Sequence, residues 1–542
     1  MKILKFFLLF IILIFLTSCI SPFLTDSPGK TSNVMYQIFV HSFYDSNDDG
    51  IGDLRGVAEK AQYLKDLGID IVWLMPINEA QSYHGYDPIN LYSIEDDYGD
   101  FDDFKYMVNK LHSFGIRVIL DLVINHTSDQ NPVFIDAIEN TNNSKYWNWF
   151  ILSFDDHSNQ FGWHWKINSK GQKIWYFGLF DSSMPDYNFE NNEIKLEIQK
   201  AIDFWLERGV DGFRFDALKN IYGYGFDDGI SQSVSYAKSL AEYVYSKKPD
   251  AIIVAEVYTG DKNILKSFSP MSVLNFSMRY QILFNKEGAD SQIFSGYLWY
   301  DDSLMRNFLF LDNHDENRFI SDLESFYSNS GNPRFYSEAQ FAIWNTVLIG
   351  LKGIPIIYYG DEIGQRGYKW NDYPSSIPVR EPMQWYKSGS GVGQTFWTKE
   401  KYSKITFGNA NIDGAIYDDP YDGISVEEEM EKPNSLFNYI KKVINLRKTY
   451  LSLSKGDMLI RADYKNLIAI ERIFGNQQVL LLVNPDPFSE SEYVVLEGYR
   501  LIFFADLNSP NDGFTFEDKN ILLTKNETYI IKSRQVYFFL KE

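Results

Sequence analysis

The sequence predicts an α/β fold: a TIM (β/α)8 barrel with an inserted domain after its third strand and an all-β domain at its carboxyl end. Three observations carry this. Eight short apolar runs alternate with helical patterns, and eight parallel strands is the number that closes a barrel. Residues 127–190 interrupt the alternation with Asn, Trp, Asp and Ser. From about residue 454 the helices stop and short alternating strands take over.

In order, a strand is expected at 34–40. A helical pattern over 57–67 stops at Gly68 and feeds a strand at 69–74, which ends before Met75-Pro76. Helix 102–114, closed by Gly115, precedes strand 116–123. The pairs 194–207 with 210–215, 233–246 with 251–255, and 339–350 with 354–359 follow. Apolar runs at 273–276 and 308–311 complete the eight strands, and helix 436–447 closes the barrel. The barrel thus occupies 34–126 and 191–453, the inserted domain 127–190 (with a weak strand signal at 173–177), and a β-sandwich 454–542. Strands at 467–473, 478–482, 529–531 and 535–540 are expected within the last.

The amino terminus reads differently. Lys2 and Lys5 precede an apolar run over 6–16, short for a membrane span and suited to a signal sequence. It ends in Leu16-Thr17-Ser18-Cys19, similar to a bacterial lipobox, so Cys19 is expected to be lipidated after cleavage. Residues 1–19 are then a lipoprotein signal and 20–33 a polar tether. The expected location is extracytoplasmic, with membrane contact through the lipid anchor only. Cys19 is the only cysteine of 542 residues, so the domain beyond it folds without disulfides. A net charge of −22 argues against nucleic acid as a partner.

Two segments carry chemistry. Asp45, Asn47, Asp49, the Ile51 carbonyl and Asp53 place oxygens at alternate positions around Gly50, like the first half of a calcium loop. Gly56 stands where an EF-hand has its glutamate, and a strand is expected to precede the loop, so a different kind of calcium site is expected. In GVDGFRFDALK, at 209–219, Arg214 and Asp216 are two apart on a strand and share a face. The guanidinium is expected to keep Asp216 ionised to low pH, as a carboxylate nucleophile requires. An isolated pair of this kind is more often structural. Here the ends of other strands add Asp121, Asn125, His126, Glu256 and Asp312-Asn313-His314-Asp315. A glutamate directly after the apolar run Ile252-Ile253-Val254-Ala255 is costly to bury unless it is paired or its pKa rises, which suits a general acid.

DLVINH at 121–126, GFRFDALK at 212–219, AEVY at 255–258 and FLDNHD at 310–315 resemble, in order, the four signature regions of the α-amylase family of glycoside hydrolases. MPDYN at 184–188 is similar to a further motif of that family. Tyr187 stands there in place of the commoner Leu, a form that implies the group between the oligo-1,6-glucosidase and neopullulanase branches. The segment Arg380–Trp385 is similar to one that follows the eighth strand in related enzymes. The resemblance implies Asp216 as nucleophile, Glu256 as general acid/base and Asp315 as third carboxylate. It implies His84, Tyr86, His126, Arg214 and His314 around the reacting sugar, and Lys219 on the leaving side. The Asp45–Asp53 loop matches a cation site of part of the family. Lys219-Asn220 replaces the common Lys-His, which weakens the case for a second calcium near Asn125.

The implied activity is retaining, endo-acting hydrolysis of α-1,4 bonds in starch, glycogen and maltodextrins. Small Ala217 fits α-1,4 cleavage better than the Val frequent in 1,6-specific relatives. An aromatic content of 17% suits stacking on sugar rings. The alternatives are a maltodextrin-, cyclodextrin- or pullulan-hydrolysing relative, a transglycosylase, or a glycan-binding lipoprotein without catalysis. The last is disfavoured because all three carboxylates are present.

Overall fold

The computed structural model describes residues 34–286, 288–289, 291–294, 307–370, 375–398, 423–461, 464–508 and 513–542. Residues 1–33, where the signal sequence, the tether and the lipidated Cys19 are expected, lie outside these. Eight strands form a closed barrel. They are β1 (Met35–Ile38), β2 (Ile71–Leu74), β3 (Arg117–Leu122), β4 (Gly212–Phe215), β5 (Ile252–Ala255), β6 (Ser272–Leu274), β7 (Asn307–Leu309) and β8 (Ile354–Tyr358). Every neighbouring pair is parallel, and β8 closes on β1 through the register Met35 to Ile356. The expected strands are all present, most of them shorter at their ends.

Alternation along the strands decides what fills the barrel. Met35, Ile71, Trp73, Ile119, Val254, Leu274, Phe308 and Ile356 form one buried apolar cluster drawn from the barrel strands. Two residues beyond Ile119 stands Asp121, and two beyond Val254 stands Glu256. On β4 the same stride runs Gly212, Arg214, Asp216. The inward row turns from apolar to charged at the carboxyl rim. Gly212 cannot be otherwise: its φ is +153°, and a Cβ there would lie 1.9 Å from the Ile252 carbonyl oxygen.

The strand expected over 34–40 ends at Ile38, and a helical turn, Val40–Phe43, stands between it and the Asp45–Asp53 loop. All four of its residues, Val40, His41, Ser42 and Phe43, are buried. Between β3 and β4 lie a helix, Pro132–Asn140, and a three-stranded antiparallel sheet of Leu152–Ser153, Lys173–Phe177 and Trp163–Ile167. The MPDYN motif closes this excursion back onto β3: the Tyr187 amide donates to the Asn125 carbonyl at 3.0 Å, and Thr127 to Pro185 at 3.2 Å.

The carboxyl end forms a six-stranded sheet and a two-stranded sheet. Leu480 and Phe539 of the larger sheet and Val495 and Ile531 of the smaller belong to one buried apolar cluster. Buried Arg472 fixes the larger sheet to the barrel by donating to the Gly350 carbonyl at 2.7 Å.

Candidate active site

Arg214 is the hub of the rim. Its side chain is 1% exposed, and Nη1 donates to Asp121 Oδ1 at 2.7 Å and to Asp216 Oδ1 at 2.6 Å. Nη2 lies 2.7 Å from Glu256 Oε1. One planar fork therefore ties the ends of β3, β4 and β5 together, a geometry that lysine cannot reproduce. Glu256 Oε2 accepts from the Ala217 amide at 2.8 Å. Ala217 reaches that position in a left-handed conformation, φ +46°. Asp121 also accepts from the Tyr86 hydroxyl at 2.9 Å, which stands the Tyr86 ring upright beside the site.

Asp315 faces this trio from the end of β7. His314 Nε2 lies 3.0 Å from its Oδ2, and Arg380 Nη2 donates to its Oδ1 at 2.9 Å. His314 stacks on Tyr86 at 5.0 Å between ring centres and 9° between planes. Gln37 Nε2 is 2.7 Å from His314 Nδ1, which leaves Nε2 directed at Asp315. His126 Nε2 is 2.7 Å from the Tyr86 carbonyl. His84 Nδ1 accepts from the Tyr86 amide at 3.1 Å. Lys219 Nζ donates to the Tyr258 carbonyl at 3.0 Å and pairs with Asp227 at 3.2 Å.

These residues line a cleft of about 700 Å³, within the range of small-molecule sites. His84, Tyr86, His126, Asp216, Lys219, Glu256 and Asp315 reach its wall, while Arg214 and His314 are buried at 1% exposure. Of the residues predicted for catalysis and substrate contact, none lies elsewhere. Sequence reasoning passed over several others. Arg380, Tyr83, Phe180, Phe226 and Tyr258 also line the cleft. Arg380 could have been found within the segment that resembled the family; Phe180 and Phe226 sit in irregular loops with no periodic signal.

Burial raises the pKa of Glu256, with the negative charges of Asp216 and Asp315 adding to it against the pull of Arg214. Asp216 corrects the expectation from sequence: burial exceeds the attraction of Arg214, and its carboxyl is raised, not held low. A hydrogen bond from Glu256 favours the ionised form of Asp216. Asp121 is pushed up to about 7 by burial. Asp315 goes the other way. Burial opposes its charge, but His314, Arg380 and Arg214 more than offset this and hold the carboxyl below the usual range. Burial lowers His126 to about 4 and His84 to about 3, so both are neutral acceptors or donors near pH 7. Two neighbouring carboxyls raised by burial, a third held ionised opposite and an aromatic wall are the parts for acid-assisted displacement at a sugar carbon.

The Asp45–Asp53 loop stands apart from the cleft. Asp45 Oδ1 accepts from the amides of Asn47 and Asp48, and Oδ2 from Gly50. Asp49 Oδ1 accepts from Ile51, and Asp53 caps the helix Leu54–Glu59 through Gly56. The donors are hard oxygens, the type calcium takes. Among the described residues no three His, Cys, Asp or Glu side chains converge as a metal-binding group. Asn220 donates to the Phe226 carbonyl at 3.0 Å and so braces the loop beside the cleft.

Residues 37–456 match the family described as alpha amylase, catalytic domain. The chain belongs to the α-amylase family. This family member is 32% identical over 469 residues to Alpha-amylase 3 of Dictyoglomus thermophilum, covering 85% of this chain and 86% of that protein. It is 30% identical over 477 residues to 4-alpha-glucanotransferase of Thermotoga neapolitana, covering 86% and 98%. Among solved structures, the alpha-amylase from H. orenii superposes with a TM-score of 0.76 at 28% identity, covering 95% of this chain and all of that one. The chain is thus an enzyme of the glycoside hydrolase and transglycosylase kind.

Proposed function

We propose that the protein is an α-amylase, cutting internal α-1,4 bonds of starch, glycogen and maltodextrins with retention of configuration. One observation carries the reading: Asp216 and Glu256 sit on the two terminal nitrogens of a single guanidinium, at 2.6 and 2.7 Å. Carboxyls held by one guanidinium are neighbours, the arrangement that a retaining mechanism uses. With Oδ1 held by Arg214, Asp216 Oδ2 attacks the anomeric carbon while Glu256 protonates the departing glycosidic oxygen. In the second half Glu256 takes a proton from water, whose oxygen displaces Asp216 from the same carbon. Asp315 binds hydroxyls of the distorted ring, Tyr86 stacks on it, and His84, His126 and His314 bind its edges. Lys219 serves the leaving side.

A transglycosylating reading draws on the glucanotransferase relative: a sugar hydroxyl then replaces water in the second half. Incubation with amylose, pullulan and cyclodextrin, followed by sizing and anomer analysis, separates the two. New reducing ends of retained α-configuration support hydrolysis; redistributed chain lengths with few new reducing ends overturn it in favour of transfer. The proposal includes calcium on Asp45, Asn47, Asp49, Ile51 and Asp53, and lipidation of Cys19 as the anchor of an extracytoplasmic enzyme. Metabolic labelling with a fatty acid, lost in C19S, tests the latter.

A further inference from the structure

Resting on the α-glucan reading, we infer that the cleft continues into an extended binding track on the sheet between β3 and β4, with exposed Trp165 at its far end. Its occupant is the continuation of the same neutral glucan chain past the leaving side.

The track is two groups of ring contacts, joined through the segment Tyr224–Phe226, and it begins in the cleft. Phe180 and Phe226 both line the cleft wall, with ring centres 6.0 Å apart. Phe226 reaches Phe161 at 5.9 Å, and Phe161 is 64% exposed. Two residues before Phe226, Tyr224 lies nearly parallel to Trp163, 6.2 Å away and 15° off. Trp163 carries His157 stacked at 3.7 Å, and His157 in turn meets Trp175 at 6.2 Å. Lys173 Nζ sits 4.2 Å from the Trp175 ring centre and 4.7 Å from that of Trp165.

Register places the rings of the sheet itself on one face. Trp163 pairs with Phe177, Trp165 with Trp175 and Ile167 with Lys173, and directly opposed residues share a sheet face. Core packing does not explain the outer end, because Trp165 and Ile167 are 51% and 59% exposed. Phe161, Trp165 and Ile167 stand in water over the buried rings of Trp175 and Phe177, and large apolar side chains grouped at a surface in this way mark a binding site. A pyranose ring presents an apolar C–H face with hydroxyls at its rim, which matches a flat ring and its polar neighbours. A net charge of −22 argues against a polyanion as occupant, and a glucan carries no charge. Lys173, drawn over the two Trp rings, holds Trp165 in place.

The test compares wild type with W165A and, since one variant alone could misfold, F161A. F488A, at an 84% exposed ring of the carboxyl-terminal domain, controls for loss of any surface aromatic. Migration in native gels containing amylose reads binding without turnover, and kcat/KM on amylose relative to maltotriose reads use of the track. W165A or F161A should weaken amylose retention and lower that ratio about five- to tenfold, with F488A unchanged. Retention and ratio at wild-type values in both variants would overturn the track, as would a wild type that amylose does not retard. Retention without cleavage of any α-glucan would instead remove the hydrolase reading and leave the track standing.

Discussion

The Ala217 amide donates to Glu256 Oε2 at 2.8 Å from a residue whose φ is +46°. The turn after β4 is thus wound left-handed to aim a backbone donor at a carboxyl on β5. Alanine tolerates this at a cost of about 1–3 kcal/mol, and a β-branched residue pays more. A217V is expected to lower stability by a further 1 kcal/mol or so and to cut activity on amylose, by crowding both the turn and the cleft. A217G relieves the strain and should stay within about 1 kcal/mol of wild type, with most activity kept. Chemical denaturation with parallel assays checks both; an A217V protein as stable and active as wild type would remove the role given to this turn.

Glu256 must be protonated at the first step and Asp216 ionised. Both carboxyls are raised above their ordinary values by burial. Activity therefore falls as pH rises through the Glu256 pKa, and falls again as pH drops through that of Asp216. Both limbs of the kcat/KM profile should lie higher than for ordinary solvated carboxyls. E256Q should lose about 10²–10⁴-fold in turnover while amylose binding survives. A profile whose acid limb sits at or below the usual aspartate value would contradict the burial argument.

What the chain disclosed beforehand and what it hid divide along physical lines. The rim carboxylates were legible because the stride of two that fills the barrel with Ile119 and Val254 continues into Asp121 and Glu256. Arg380 was not assigned to the site because its contacts to Tyr83 and Asp315 span 297 and 65 residues, a pairing that the resemblance of its own segment does not reveal. The Asp216 pKa was misread because adjacency to Arg214 is visible in sequence whereas burial is not. The strand Thr515–Leu522 escaped notice as well. It lies at the edge of its sheet with mostly exposed residues, so its side chains follow no apolar alternation.

Calcium on the Asp45–Asp53 loop should couple to folding, since an ion bound only by the folded loop stabilises by about 2.7 kcal/mol at a hundredfold excess over its Kd. Chelation is expected to lower Tm, and added calcium to restore it. D49A should abolish the calcium effect, because Asp49 is exposed and its side chain holds only the Ile51 amide. A Tm indifferent to chelator and calcium would remove the ion from this loop.

Glu429 offers a test of pH-dependent stability away from the cleft. Its Oε2 accepts from the Leu436 amide at 3.1 Å, Lys432 lies 3.5 Å from Oε1, and burial with the charge of Glu338 raises its pKa to about 7. In the unfolded chain the carboxyl titrates near the ordinary glutamate value of about 4.3. Between the two values the folded state holds the extra proton, so stability falls as pH rises from about 4 to 7 and is level beyond. A glutamine at 429 keeps an acceptor for the amide and never ionises. E429Q should therefore match wild type near pH 4 and exceed it at pH 8 by about 2–3 kcal/mol, measured by denaturant unfolding at both pH values. Equal stability of the two proteins across that range would mean that Glu429 is ionised at no cost in the fold, and that water or a cation reaches it.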